Sequence, residues 1–461
     1  MENRSLKNPA RLILFLTTLT SFMTAFMGSA LNIALPIIGI DFSASALMLS
    51  WLSTIYLLTS AALLLPIGKL SDIYGRTRFF KIGLILFTTG SFMCAFSPDA
   101  TTLFLIRIIQ GTGAAFIFTS STALIVSSFP QSQRGRALGI NIAAVYTGLS
   151  SGPFLGGIIT HYWSWRWIFF VNSAIGFVLI VISFFYLKYE LEDLRKEKFD
   201  YAGSIIYILS IILLMIGISL LPDVKGYLVL FVGLTMLVFF YFFESKLSTP
   251  VFDVMMFRRN KTFTFSNLAA LINYSATFAI GFLLSFYLQS VKGLNPQDAG
   301  IILITQPIVQ AIFSPLAGKL SDKIEPQIVA SIGMSLLTIG LIFLCFLSPG
   351  MSIVLIIVNL ALLGLGFALF SSPNVNAVMS SVEKKYYGVA SSILASMRLI
   401  GQMLSMGLVI IIFTIYIGGE RITQDNQVAF LESTRVAFII FSLFSFAGIF
   451  ASLSRGNIHS N

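Results

Sequence analysis

Apolar and polar positions alternate along this chain in long blocks. Uninterrupted apolar runs fall near residues 12–36, 47–68, 79–96, 101–124, 137–160, 167–187, 202–221, 226–243, 262–288, 298–318, 328–347, 351–372, 387–417 and 433–454, and charged residues collect between them. A bilayer core of ~30 Å calls for about 20 apolar residues per helix. The runs meet that length, and they lack the alternating ~10-residue segments of a transmembrane barrel. Lipid offers the backbone no hydrogen-bond partner, so each run must satisfy its own amides as a helix. The pattern predicts an all-α integral membrane protein of about fourteen transmembrane helices. An even number puts both termini on one side.

Composition agrees. The chain has 461 residues, 56% hydrophobic and 10% charged, against about a quarter charged in a soluble protein. So few charges cannot cover a water-facing surface. The net charge of +10 could suggest a nucleic-acid partner, but the basic residues are scattered over short connections. If the N-terminus is cytoplasmic, 22 of the 29 Lys and Arg lie in cytoplasmic segments, five in outer loops (Arg166, Lys225, Lys292, Arg421, Arg435) and two, Arg107 and Arg398, inside spans. That asymmetry is the positive-inside rule. It predicts a multi-pass plasma-membrane protein with both termini cytoplasmic and no nucleic-acid partner. Arg4, Lys7 and Arg11 precede an apolar run too long for a signal core, so it reads as an uncleaved first helix. Cys94 and Cys345 sit in separate apolar runs as small core residues. The two histidines, His161 and His459, lie near aqueous ends. No metal-spaced cluster or phosphate-binding glycine loop is present, so neither an enzyme nor a cofactor is expected.

The chain repeats itself. Gly68, Leu70 and Asp72 recur at an offset of 250 as Gly318, Leu320 and Asp322; Gly111, Gly113, Gly135 and Gly148 recur at 253 as Gly364, Gly366, Gly388 and Gly401. The repeat predicts an N-terminal six-helix half within 1–187 and a C-terminal half within 262–461. Between them, 188–261 holds a mixed-charge linker and two inserted helices without counterparts.

The charged turn GKLSDIYGRTR, 68–78, returns in shortened form as GKLSD, 318–322. Gly68 should end a helix and let a neighbour approach closely. Gly75 permits a tight turn. Asp72 can accept hydrogen bonds at a helix N-terminus or pair with an arginine, while Arg76 and Arg78 stay at the interface. At these residues the chain resembles transporters of the major facilitator superfamily, whose pattern after the second helix is close to G-x-L-x-D-x-x-G-R-x-R. Arg107, Gln110, Gly111 and Gly113 resemble its fourth-helix pattern R-x-x-Q-G-x-G. GLSSGPFLGG, with Gly148, Gly152, Pro153, Gly156 and Gly157, resembles the antiporter pattern of its fifth helix. Asn32, Ala34, Leu35 and Pro36, and WSWRWIFFVN at 163–172, are similar to the fourteen-helix drug:proton antiporters.

The resemblance implies two halves rocking about a mid-membrane cavity. Gly68, Asp72, Gly75, Arg76, Arg78, Gly318 and Asp322 would form gating latches, with the first copy bearing most of the load. A charge within a span costs about 3 kcal/mol and is functional by default. Arg107 and Arg398 are therefore expected to take part in coupling or orient substrate, with Gln110, Asn32, Tyr146 and Gln402 lining the same cavity. The expected partners are a small-molecule substrate, protons as coupling ion and the lipid bilayer, in a monomer. One departure matters: the subfamily's first-helix aspartate, five residues before the asparagine, is here Met27. No acidic residue falls in the middle of a span; Asp41, Asp72, Glu244 and Asp322 stand at edges. That disfavours organic cations and favours neutral, zwitterionic, anionic or lipid-like cargo. The leading expectation is a proton-coupled exporter of hydrophobic or amphipathic compounds. An exporter of an anionic metabolite or lipid oriented by the arginines, and a non-transporting membrane sensor on the same fold, stand as alternatives.

Overall fold

The computed structural model describes residues 9–130, 133–187, 198–247, 250–252, 254–321, 323–383, 386–418, 420–422 and 426–456. Asp322 of the second latch lies outside them. The described chain is helical, with no strand. Its first six spans are α1 (Pro9–Asp41), α2 (Ala46–Tyr74), α3 (Arg76–Ala95), α4 (Ala100–Ser128), α5 (Arg134–Tyr162) and α6 (Arg166–Tyr186); the inserted pair is α7 (Tyr201–Leu220) and α8 (Val224–Glu244). After the short α9 (Val254–Arg259), the ninth span is broken into α10 (Lys261–Thr277), α11 (Ala279–Phe286) and a π-helical turn, Tyr287–Val291. The tenth comprises α12 (Pro296–Leu303) and α13 (Thr305–Ser321), followed by α14 (Pro326–Leu344), α15 (Ile353–Ser380), α16 (Tyr387–Tyr416) and α17 (Gln427–Leu453). Fourteen helices among the described residues are long and apolar enough to cross a membrane. The face where α1 starts, with Arg11, Lys69, Arg76 and Arg78, is the basic face.

Both broken spans have a local cause or a local repair. Pro307 has no N–H to offer the Leu303 carbonyl, and α12 gives way to α13 at that turn. Where α10 ends, the backbone N–H of Ala279 is instead bonded by the Ser405 hydroxyl of α16 at 3.1 Å. A side chain from a neighbouring helix thus satisfies an amide that lipid could not.

Lipid removes the hydrophobic drive for helices to associate, so close packing must hold them. Glycines supply it, and they do so twice. A Cβ on Gly148 of α5 would meet the Phe22 carbonyl and the Phe26 amide of α1; one on Gly401 of α16 would meet the Leu271 carbonyl and the Ser275 amide of α10. Likewise Gly111 abuts Tyr56, and Gly364 abuts Gln306. Equivalent glycines therefore meet equivalent partners in both halves of the fold. The inserted pair stands apart: α8 turns Phe231, Phe239 and Phe242 outward, while α7 docks through the Tyr207 hydroxyl, which donates to the Ala61 carbonyl of α2 at 3.1 Å.

Candidate functional site: a cavity between the two halves

Away from the basic face the halves are sealed. A Cβ on Gly157 of α5 would stand 2.5 Å from the Pro296 carbonyl oxygen of α12, and one on Gly300 of α12 would stand 2.5 Å from the Pro153 carbonyl oxygen of α5. This reciprocal contact leaves no room for a side chain on either helix. Two hydrogen bonds support it: Gln289 Nε2 donates to the Ile33 carbonyl at 2.9 Å, and the Ala46 N–H donates to the Glu420 carbonyl at 3.0 Å.

Below the seal, a chamber of about 130 Å³ is walled by Asn32 of α1, Tyr146 of α5, Tyr274 of α10, Gln306 and Gln310 of α13, and Gln402 of α16. It shares Tyr146, Ser150, Pro307 and Gln310 with a larger cavity of about 820 Å³. That cavity runs between α5 and α13 to Gly135, Gly318 and Tyr387 at the basic face. The helices that touch at α5–α12 have parted by α5–α13, so the space opens toward the basic face.

One hydrogen bond crosses the chamber between the halves, from Tyr146 to Tyr274, hydroxyl to hydroxyl at 2.7 Å. Beside it, a smaller recess of about 50 Å³ contains Arg398, whose guanidinium carbon sits 5.9 Å from the centre of the Phe118 ring. Arg398 is nearly buried and has no carboxylate partner among the described residues. Among the described residues, no aspartate, glutamate, lysine or histidine lines any of the three spaces. The walls thus offer amides, hydroxyls, aromatic faces and one guanidinium. They can hydrogen-bond a neutral polar group or pair with an anion, but they give a cation no counter-charge.

The Major Facilitator Superfamily model matches residues 17–257 and 266–457. This chain belongs to the major facilitator superfamily. It is 32% identical to the riboflavin transporter RibZ of Clostridioides difficile over 352 residues, 76% of each protein. It is 30% identical to the multidrug resistance protein Stp of Mycobacterium tuberculosis over 397 residues, 85% of this chain and 73% of Stp. In fold it resembles the crystal structure of a bacterial homologue of the human lysosomal transporter Spinster, with a TM-score of 0.71, 16% identity, and 98% and 97% of the two chains covered. The family and these relatives are membrane transporters, not enzymes.

Within this major facilitator fold, the six residues expected at the cavity separate into two groups. Asn32, Tyr146 and Gln402 wall the chamber, and Arg398 lies in the adjoining recess. Arg107 and Gln110 do not join them. Arg107 is buried inside the first half, where its Nε donates to the Leu52 carbonyl at 3.1 Å and its Nη1 to Gln110 Oε1 at 2.9 Å. Its guanidinium stacks 4.7 Å over Tyr56, and Gln110 passes the chain of bonds on to Ser91 at 2.8 Å. The physical reason is geometric: these two side chains point toward α2 and α3, whose carbonyl and hydroxyl groups satisfy them.

The first latch also differs from expectation. Gly68 does not end a helix; it lies within α2, and a Cβ there would make only ordinary contact with Thr119 at 3.5 Å. Gly75 does make the turn, at φ +113°, closing α2 and opening α3. Asp72 pairs with Arg76 Nε at 2.7 Å inside its own half, and Arg76 reaches the Ala123 carbonyl of α4 at 3.5 Å. With the basic side open, the aspartate is thus held by its neighbour rather than by the second half. Gly318 lines the large cavity near the end of α13. Along α5, Gly148, Gly152 and Gly156 pack against α1, while Gly157 serves the seal and Pro153 lines the chamber.

Met27 is fully buried, and Asp41, Asp72 and Glu244, the edge carboxylates among the described residues, line none of the three spaces. Asp41 accepts from the Trp165 indole at 2.8 Å and lies 3.6 Å from Arg166, while Glu244 is bound at the end of α8. Sequence reading missed Tyr274, Gln306 and Gln310. Gln306, Pro307 and Gln310 interrupt an apolar run, which is a readable signal. Nothing in the sequence singles out Tyr274 from the other tyrosines.

Proposed function

We propose that the protein is a secondary exporter of the fourteen-helix drug:proton antiporter type. It sits in the plasma membrane with the basic face cytoplasmic and moves neutral or anionic amphipathic compounds by alternating access. One observation carries the cargo class: a chamber between the halves walled by Asn32, Tyr146, Tyr274, Gln306, Gln310 and Gln402, with no carboxylate among the described residues. A buried acid is the simplest partner for a cationic drug, and this chamber has none. The names of two relatives, one a riboflavin transporter and one a multidrug resistance protein, support an uncharged or amphipathic cargo. Protons as coupling ion rest on the antiporter-like residues of α1 and α5.

Arg398 supports a second reading, in which the cargo carries an anionic group that seats on the guanidinium. Among the described residues it has no competing carboxylate, and a guanidinium binds carboxylate or phosphate in bidentate fashion.

Purified protein in liposomes tests both. Riboflavin and a neutral amphipathic dye should move, and a permanent organic cation should not. Transport should respond to an imposed pH gradient and produce a cargo-dependent pH change. Robust transport of the cation would overturn the cargo class, and indifference to the gradient would overturn proton coupling.

A further inference from the structure

Far from the cavity, the start of α7 and the end of α8 meet near the basic face. Asp200 caps α7, its Oδ1 accepting the Gly203 N–H at 2.9 Å. Glu244, the last residue of α8, is 1% exposed, and its Oε2 accepts the Phe252 N–H at 3.0 Å. One oxygen of each carboxyl group is thereby accounted for. The others, Asp200 Oδ2 and Glu244 Oε1, are buried and have no donor. They crowd one point above Gly203, where an added Cβ would collide with both. Only a residue without a side chain leaves the pair its space.

Among the described residues, no cation from the surrounding elements relieves this arrangement. Asp200 is the one charged side chain that acts on Glu244 among the described residues. From α9, Arg258 lies 5.9 Å over the Tyr241 ring instead. α2 meets α7 through the Ala61 carbonyl and the Tyr207 hydroxyl. Glu244 is buried and Asp200 half-buried, and their unbonded oxygens meet above Gly203; two acceptor oxygens facing one another need a hydrogen between them.

We propose that Asp200 and Glu244 together bind one proton, forming a carboxyl–carboxylate clasp at the base of the inserted pair. The proton comes from water on the basic face and returns there; no heavy-atom bond changes. The clasp reaches the second half through Phe252, which packs with Phe263 of α10 and against Phe257 at 5.1 Å between ring centres. Removing the proton sets two negative charges against each other across Gly203. It thereby pushes the start of α7 away from the segment that leads into the second half. Stability from the clasp is full while the proton is bound and falls once rising pH removes it. The site is separate from the cavity and does not depend on what the protein carries.

Infrared difference spectra of the purified full-length protein, between mildly acidic and alkaline buffer, read the proton directly. Wild type should lose a protonated-carboxyl band that shifts in heavy water. Glu244→Gln and Asp200→Asn should each lack it. Melting temperature should fall on going alkaline in wild type and stay level in Glu244→Gln, whose amide donates to Asp200 at any pH. A wild-type spectrum without the band, or a band that survives both substitutions, overturns the proposal. So does a melting temperature restored at alkaline pH by sodium or magnesium, which would put a metal cation where the proton is placed.

Discussion

The two intramembrane arginines look alike in sequence and are opposites in place. Arg107 spends its guanidinium on Leu52, Gln110 and Tyr56, whereas Arg398 faces a recess beside the chamber. Their alanine variants should separate cleanly. Arg107→Ala leaves a buried carbonyl and amide unpaired and should cost about 2–3 kcal/mol, read as a lowered melting temperature with cargo affinity little changed. Arg398→Ala should melt near wild type and lose binding of anionic cargo by about tenfold or more. Residue type and depth were legible in the sequence, since a charge in a span needs a partner. Which partner was not legible, because it depends on the rotation of α4 about its axis, and that is fixed by glycine contacts with α2 and α3 rather than by Arg107. The same limit hid Tyr274: its importance comes from facing Tyr146 across the halves, a pairing between residues 128 positions apart.

At the scale of elements, the helices were readable because lipid demands length and apolarity, and the repeated glycines were readable because only glycine permits the contacts they make. The breaks were less so. Pro307 marks one, but the end of α10 depends on Ser405 arriving from α16. The contact of α5 with α12 yields the sharpest test. Gly300→Ala places a methyl against the Pro153 carbonyl only while the seal is closed. Overpacking of this kind costs roughly 1–3 kcal/mol and falls on one state alone, so the balance should move toward the state open away from the basic face by about tenfold. A cysteine placed at Ser314, in the wall of the large cavity, should then be labelled more slowly from the basic face than in the parent protein.

For the whole molecule, we propose that the turn at Asp72 is one half of an alternation. The Asp72–Arg76 pair is partly exposed, and such pairs contribute only about 0.3–0.5 kcal/mol. Asp72→Asn should therefore leave melting nearly unchanged while transport falls steeply, because what it removes is an interaction of the other state. Unchanged transport would deny the turn any gating role. The seal opposite has a different implication. Gly157 and Gly300 each lean on a proline carbonyl of the other helix, a pair of contacts that reads the same from either half, and the Gln289–Ile33 and Ala46–Glu420 hydrogen bonds beside them are the ones that parting breaks. A closure with that symmetry has no preferred sense of travel. The direction of flux belongs to the gradients across the bilayer. Liposomes preloaded with unlabelled cargo should consequently accumulate labelled cargo from outside by exchange, with no proton gradient applied.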